Sequence, residues 1–393
     1  MDLFLIKIGK AWNVLRRDGF FRGLKRVFSA FFLQFRRVHP GEVLFISNGV
    51  GDSARYRTRH VAEELNLHGF AASVTVQDNP FLISYADKFS VFVFHRVLFT
   101  DKIARFVEVL KGLGKTIVFE TDDLVYDPEF LRHMDYYAKM NALEKKLYEH
   151  GVGGEILGDP YVTHCTTSTR FLKEKLEAKG KQVFLVRNKL SQEDVSWAEE
   201  VLRKRVPRND GLVRICYLSG TPSHDKDFAT ITGALVRLLE KHPDIRLVLA
   251  GPLDTESALN RYEAQIERVA YMPRKEYFGT IAEMDINVAP LEIGNPFCES
   301  KSELKFFETG LVGVPTVAAA TGTFREAIAD GVDGFVAATE DEWVEKLEAL
   351  IADSGRRRAM GEAARAAALR HYTTKDGSSP EYYGFLKERI GKA

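Results

Sequence analysis

Apolar residues along this chain come in short dense runs, each followed by a longer stretch in which apolar positions recur every three or four residues. VLFIS (43–47) gives way to the loop NGVGDSA and a helical pattern over 55–68. ASVTV (72–76), FSVFVF (89–94) and KTIVFE (115–120) follow, with a helix expected over 101–113. A helical pattern over about 129–149 leads to YVT (161–163), a helix near 171–179 and VFLV (183–186). The segment 191–211, SQEDVSWAEEVLRKRVPRNDG, breaks the rhythm; it is highly charged, ends in turn residues and reads as the link between two domains. The alternation then restarts with VRICYL (213–218), a helix to about 242, IRLVLAG (245–251), INVAP (286–290), PTVAA (315–319) and GFVAAT (334–339), before helices that run to 368. Short β-branched and aromatic runs alternating with helices predict βαβ units and parallel sheets. The expected fold is therefore α/β, with two doubly wound Rossmann-like domains over 41–190 and 212–372. Each binds ligands beyond the carboxyl ends of its strands. The tail, 373–393, is expected to be a helix returning to the N-terminal domain.

The bulk numbers narrow the class. A chain of 393 residues with 45% hydrophobic and 28% charged positions is long enough for two cores. Lys+Arg and Asp+Glu are both 55, which gives no argument for a nucleic-acid partner. Cys165, Cys216 and Cys298 are far apart and lack metal-ligand spacing, as in a reducing compartment. No apolar run approaches the ~20 residues of a membrane span, and the start lacks a signal peptide's apolar region. Charge is uneven, however. Residues 1–37 carry Lys7, Lys10, Arg16, Arg17, Arg22, Lys25, Arg26, Arg36 and Arg37 against Asp2 and Asp18. Phe20, Phe21, Leu24, Val27, Phe28, Phe31, Phe32 and Phe35 recur there at helical spacing. This basic amphipathic helical arm, 1–40, fits a helix lying on an anionic membrane surface, or one packed on its own domain or a partner. The first option makes the protein cytoplasmic and peripheral on the inner face of the cell membrane.

Three loops of the second half carry candidate chemistry. In FCESKSELKFFETG (297–310) a helix is expected from Ser300 to Gly313. At roughly 100° per residue, Lys301, Lys305 and Glu308 share one stripe, Glu299 and Glu303 lie opposite, and Leu304, Phe307 and Leu311 form an apolar third. Like charges four residues apart cost a few tenths of a kcal/mol, roughly what an opposite pair gains. The stripe is either a solvated face or a place where an anion meets two lysines and a helix N-terminus, with Glu308 accepting sugar hydroxyls. SGTPSHDKD offers Gly220, His224 and Lys226, and TGTFREAIADGVDG offers Gly322, Thr323 and Glu326. In the first half, Asn48, Gly49 and Gly51 form a glycine-rich loop followed by Arg55 and Arg57, suited to a phosphate or an anionic acceptor. His95 and Arg96 close the run FSVFVF. Asp122 and Asp123 read as cleft or helix-capping carboxylates; the alternative is that Glu120, Asp122 and Asp123 are ligands for a divalent cation.

At these residues the chain resembles a known family. ICYLSGTPSHDKDFATITGAL, IRLVLAGPL, YMPRKEYFGTIAEMDINVAP, KSELKFFETGLVGVPTVAA and FREAIADGVDGFVA are similar to the retaining nucleotide-sugar glycosyltransferases of family four, with the GT-B architecture of two domains facing a cleft. GVGDSARYRTRHVAEEL and VFETDDLVYD resemble a branch from bacterial surface-polysaccharide pathways, and the likeness covers about 41–372. It implies a retaining hexosyltransferase with a nucleotide-diphosphate sugar as co-substrate, no metal and no cofactor. The acceptor it implies is a saccharide, lipid-linked if the arm lies on a membrane. Glu308 matches the glutamate that binds the donor ribose, and Lys226 the basic residue on the diphosphate. Thr221 stands where the family has arginine, and Ser300 where it has a first glutamate, with Glu299 one position away. Lys301 and Lys305 are expected to share the phosphate work. The expected catalytic groups are thus Lys226, Lys305 and His95. On the donor side Gly220, His224, Ser300, Lys301, Glu308 and Thr323 join Lys226 and Lys305, with Gly49, Gly51, Arg55, Arg57, Arg96 and Asp122 on the acceptor side. An inactive scaffold subunit and a sugar-nucleotide epimerase of the same architecture are the alternatives.

Overall fold

The computed structural model describes residues 23–24, 28, 31–32, 34–49, 51–134, 137, 140–146, 148–206, 208–220 and 224–391, without the side chains of 143 and 144. Setting aside 134–136, the chain forms two compact units. One takes the residues up to Lys189 and from Ser378 onward, the other Leu190–Gly377.

The first domain is a parallel sheet of β1 (Val43–Ser47), β2 (Ala72–Val76), β3 (Val91–His95), β4 (Thr116–Thr121), β5 (His164–Thr167) and β6 (Gln182–Leu185). Their order is β2-β1-β3-β4-β5-β6. Every residue of β1 and β3 is buried, as expected for inner parallel strands covered on both faces. Val43 and Phe45 pack with Val61 and Leu65 of the following helix, and with Tyr382, Phe385 and Leu386 of the Pro380–Ile390 helix. Two expectations fail here. The pattern over 129–149 yields a 3-10 helix at Pro128–His133 and a short helix at Ala142–Lys146. YVT (161–163) is not a strand, because Asp159 turns the chain by accepting from Tyr161 N with its carboxylate and from Val162 N with its carbonyl. The strand starts at His164.

The second domain repeats the plan with β7 (Val213–Leu218), β8 (Ile245–Ala250), β9 (Ile266–Val269), β10 (Ile286–Ala289), β11 (Thr316–Ala319) and β12 (Phe335–Ala337). The order β12-β11-β10-β7-β8-β9 is the Rossmann order read from the far edge. Both expected doubly wound domains are therefore present. β9, IERV, escaped the sequence reading because an edge strand tolerates polar residues, and Glu267 and Arg268 are exposed. The segment read as a link contains a capped helix, Gln192–Lys204, which packs on the Arg274–Ala282 helix. Glu200 makes surface pairs with Lys204 and Lys275, while Asp194 is buried. The Leu304–Leu311 helix lies so close to the Ser354–His371 helix that a Cβ on Gly361 would fall 2.0 Å from the Gly313 carbonyl.

Candidate functional site

In each sheet the chain winds both ways from one point, the position where doubly wound sheets in general bind their ligands. In the second domain that point lies between β7 and β10, which pair through Ile215–Ile286 and Cys216–Asn287. The Leu304–Leu311 helix sits over it. Phe306, Phe307 and Leu311 are fully buried, which turns Lys305 toward the end of β7. The Lys305 ammonium donates to the Leu218 carbonyl and lies 4.7 Å from the centre of the Tyr217 ring. Burial lowers its pKa to about 8 against the pull of Glu308, with the charge of Lys301 adding a smaller lowering.

Lys301 is not on that helix. A short helix, Pro296–Glu299, ends before it, and the next starts at Leu304, so the single stripe expected from Ser300 onward is broken. The Ser300 hydroxyl donates to the Phe297 carbonyl of the preceding turn, 2.8 Å away, and the residue is buried. Lys301 nevertheless reaches the same end of the sheet. Its ammonium is 2.8 Å from Asp227 Oδ2 and 3.1 Å from His224 Nδ1, and the latter two are 2.9 Å apart. Burial and the nearby Lys301 lower His224 to about 4, which leaves it neutral at pH 7. Burial alone would raise Asp227, but His224 and Lys301 hold it well below the usual carboxylate range. The Cys298 thiol donates to the other Asp227 oxygen, at 3.1 Å.

Glu308 is held from two sides. Arg274 Nη1 donates to Oε1 at 2.6 Å and the Tyr277 hydroxyl to Oε2 at 2.8 Å. Glu299 does not face this group; its carboxylate accepts from the backbone N–H of Gly294 and of Gly322. Thr323 is buried in the Gly322–Ala327 helix. Gly220 is exposed, with open space around it. The glycine that backbone geometry requires is Gly251, at φ +87°, where a Cβ would strike the Ser219 carbonyl at 1.9 Å. Lys226 lies on the exposed side of the Asp225–Ala229 helix, while Asp227 of the same helix is buried against Lys301.

The reversal in the first domain lies between β1 and β3. Asp52–Ala54 leads into a wide π-helical turn, Arg55–His60, which drives Arg57 into the interior. Arg57 is fully buried. Its Nε and Nη2 donate to Glu120 at 2.7 and 3.0 Å, and Nη1 to the Val186 carbonyl and to Asn188. It is a structural cation and not a surface ligand for an anion, which corrects its expected acceptor-side role. Arg55 stays near the surface, 3.6 Å from Asp52. Gly49 and Gly51 have no close neighbours where a Cβ would stand. The His95 ring is buried, with Nε2 3.0 Å from the Ser53 hydroxyl, which in turn donates to Asp122 at 2.7 Å. Burial lowers His95 to about 3 and lifts Glu120 to about 7, the latter against the pull of Arg57. Arg96, in the left-handed region at φ 48°, pairs with Asp122 at 2.6 Å and also with Asp123. Arg96 and His95 outweigh burial and hold Asp122 at about 2. The carboxylates weighed as cation ligands thus face guanidinium groups.

Among the described residues, Asp227, Glu292 and Cys298 bring potential metal-ligand atoms within 4.8 Å of one another, but the Lys301 ammonium already occupies Asp227. Ser53, Asp227, Arg274 and Tyr277 are the site residues that sequence reasoning missed. Asp227 had a signal, standing three residues after His224 on a helical turn. Arg274 had none, because its partners lie 34 and 80 residues away.

Comparison with known proteins agrees with this fold. Residues 232–376 match the family model described as "Glycosyl transferase-like". A D-inositol 3-phosphate glycosyltransferase of Corynebacterium aurimucosum is 26% identical over 223 residues, 52% of this chain and 52% of that protein. The match thus spans about half the length of that relative. Among solved structures, a sucrose-phosphate synthase from Thermosynechococcus elongatus superposes with a TM-score of 0.60 at 11% identity, covering 90% of this chain and 100% of that one. A Rickettsia africae glycosyltransferase gives 0.59 at 14%, with 91% and 100% covered. Anabaena HepE in complex with UDP-glucose gives 0.56 at 13%, with 90% and 100% covered. By these matches the chain has the GT-B glycosyltransferase fold, and its second domain is glycosyl transferase-like in sequence.

Proposed function

We propose that the protein is a glycosyltransferase that moves a sugar from a nucleotide-diphosphate donor, bound in the second domain, to a saccharide acceptor recognised by the first. The observation that carries this reading is the group of Lys301, Lys305 and Glu308 at the strand reversal of the second sheet. Two ammonium groups suit a diphosphate, and a carboxylate suits ribose hydroxyls. A relative named for glycosyl transfer to an inositol phosphate and a fold neighbour crystallised with UDP-glucose support the same chemistry.

Retention of configuration follows a front-face displacement. The bond from the anomeric carbon to the diphosphate breaks as the acceptor oxygen bonds to the same face. The departing phosphate oxygen takes the acceptor proton. Lys301 and Lys305 stabilise the charge that develops on the leaving group, and Lys301 exchanges Asp227 for phosphate as it does so. Fixed cations do this work in place of a divalent metal, and the reaction takes no cofactor beyond its nucleotide-sugar co-substrate. Thermal shift with UDP-, GDP- and TDP-sugars, followed by transfer assays with and without EDTA, tests the reading. One donor should stabilise the protein and turn over in EDTA. Loss of turnover restored by Mn²⁺ would overturn metal independence. Donor binding without hydrolysis or transfer would favour the scaffold alternative, which the serine at position 300 motivates.

We further propose that the acceptor is a lipid-linked saccharide of surface-polysaccharide synthesis, met at the inner face of the cell membrane. The arm's Phe28, Phe31, Phe32 and Phe35 are exposed and adjoin Arg36 and Arg37. Phe20, Phe21, Arg22, Lys25 and Arg26 lie outside the described residues. The arm's end is tied to the first domain through Arg36 O to Asn79 and Val38 N to Tyr85. Among the described residues no helix is long and apolar enough to cross a membrane. An aromatic face with basic flanks binds anionic lipid reversibly, at about 1 kcal/mol per basic residue. The full chain should float with anionic vesicles, and less so at high salt. A chain starting at Gly41 should not. Equal behaviour of the two removes the membrane from the proposal.

A further inference from the structure

Arg274 opens the Arg274–Ala282 helix, and its side chain is 12% exposed. It serves two carboxylates at once. Nε and Nη2 grip Asp194 at 2.8 and 3.1 Å, while Nη1 takes Glu308 Oε1 at 2.6 Å. Its flat face lies 5.1 Å from the Phe278 ring centre. Only a guanidinium has a rigid fork of donors that reaches two partners in fixed directions. Tyr277 holds the other oxygen of Glu308, so the carboxylate cannot rotate without losing one donor. Asp194 is itself fixed. It closes the capping box with Ser191 at the start of the Gln192–Lys204 helix, next to Leu190, whose N–H donates to the Tyr372 carbonyl. The plane of Glu308 is therefore set by the first turn of chain in the second domain, more than a hundred residues earlier in sequence.

A ribose diol makes two parallel hydrogen bonds to a carboxylate only when the carboxylate plane faces it. We infer that Arg274 is a positioning residue, which fixes Glu308 for a ribose diol and is itself oriented by Asp194. The inference rests on the reading of Glu308 as the ribose ligand, and its test separates the two.

Calorimetry on the full chain should compare UDP, GDP and ADP with their 2′,3′-dideoxy counterparts. Whichever nucleotide binds should lose about tenfold or more in affinity without its hydroxyls, as for hydrogen bonds to a charged group. The Glu308→Gln variant should bring the ribo/dideoxy ratio to within a few-fold of one. Arg274→Gln should shrink the ratio nearly as much, and Asp194→Asn by a smaller factor. A residue that matters only for folding would weaken both nucleotides alike and leave the ratio unchanged. A normal ratio in Arg274→Gln, with Glu308→Gln behaving as stated, overturns the positioning role and leaves the ribose reading intact. A normal ratio in Glu308→Gln, or no binding of any of the three nucleotides, overturns both. If Arg274→Gln does not fold, Asp194→Asn decides, and an unchanged ratio there overturns the inference.

Discussion

The two sheets place a polar group at the same topological position, yet the groups are built differently. In the first domain each guanidinium meets carboxylates: Arg57 grips Glu120, and Arg96 meets Asp122 and Asp123. In the second, Lys301 and Arg274 also meet carboxylates, but Lys305 donates to a main-chain carbonyl beside a ring; burial lowers its pKa against the pull of Glu308, with Lys301 adding to the lowering. Burying a cation against its own carboxylate mainly determines local structure, since desolvation cancels most of the attraction. A buried ammonium whose hydrogen bond goes to a neutral carbonyl keeps a charge that an incoming anion can meet. The strand reversal alone marks two candidate positions. The balance of partners distinguishes the two, and it is the second that the proposed function gives to the donor diphosphate.

The largest expected difference comes from deleting one cation in each. Arg57→Ala leaves Glu120 buried without its bidentate partner and removes donors to the Val186 carbonyl and Asn188. Breaking a buried pair from one side costs about 3–5 kcal/mol. Urea unfolding should show the loss, or the variant should fail to accumulate as folded protein. A change below 1 kcal/mol would mean that Arg57 is not the structural cation its surroundings indicate.

Lys305→Ala should behave in the opposite way. Its ammonium is lowered in pKa where it stands, so removing it should hardly destabilise the fold. Donor affinity should fall by about 1.5–3 kcal/mol, the range for a hydrogen bond to a charged group. Calorimetry with the donor found by screening reads this directly. Unchanged affinity with an intact fold breaks the contrast between the two domains.

Much of this was legible in the sequence, for physical reasons that also explain what was not. Strands such as VLFIS and VRICYL are inner strands of parallel sheets, and burial on both faces writes them as unbroken apolar runs. IERV, at an edge, carries no such mark. Lys301, Lys305 and Glu308 could be grouped from spacing, and they do reach one end of one sheet, but through a broken helix that spacing could not foresee. Arg57 looked like an anion ligand because it follows a glycine-rich loop. A wide helical turn points it inward, and only the contact with Glu120, 63 residues away, reveals its role. Local periodicity reports which face a residue takes. It does not report which distant carboxylate will be waiting there.

The smallest effect sharpens the comparison without deleting any side chain. Lys305 has its folded pKa lowered to about 8 from the ordinary value of 10.5. Its charge is present below that pH and lost above it, so affinity for a nucleotide-sugar should decline from pH 7 to 9, by about tenfold at the upper end. The pyrophosphate diester of the donor does not titrate in this range, and His224, lowered to about 4, is neutral throughout. Stability should move the other way. Between pH 8 and 10.5 the unfolded chain still holds the proton that the folded chain has lost, so Lys305 contributes stability that grows with pH. Lys305→Arg keeps the charge at every pH and should flatten the affinity profile. No residue of the first-domain group has a cation near its titration point, since Arg57 and Arg96 both have raised pKa values. A decline that persists in Lys305→Arg would assign the titration to another group and remove Lys305 from the donor site.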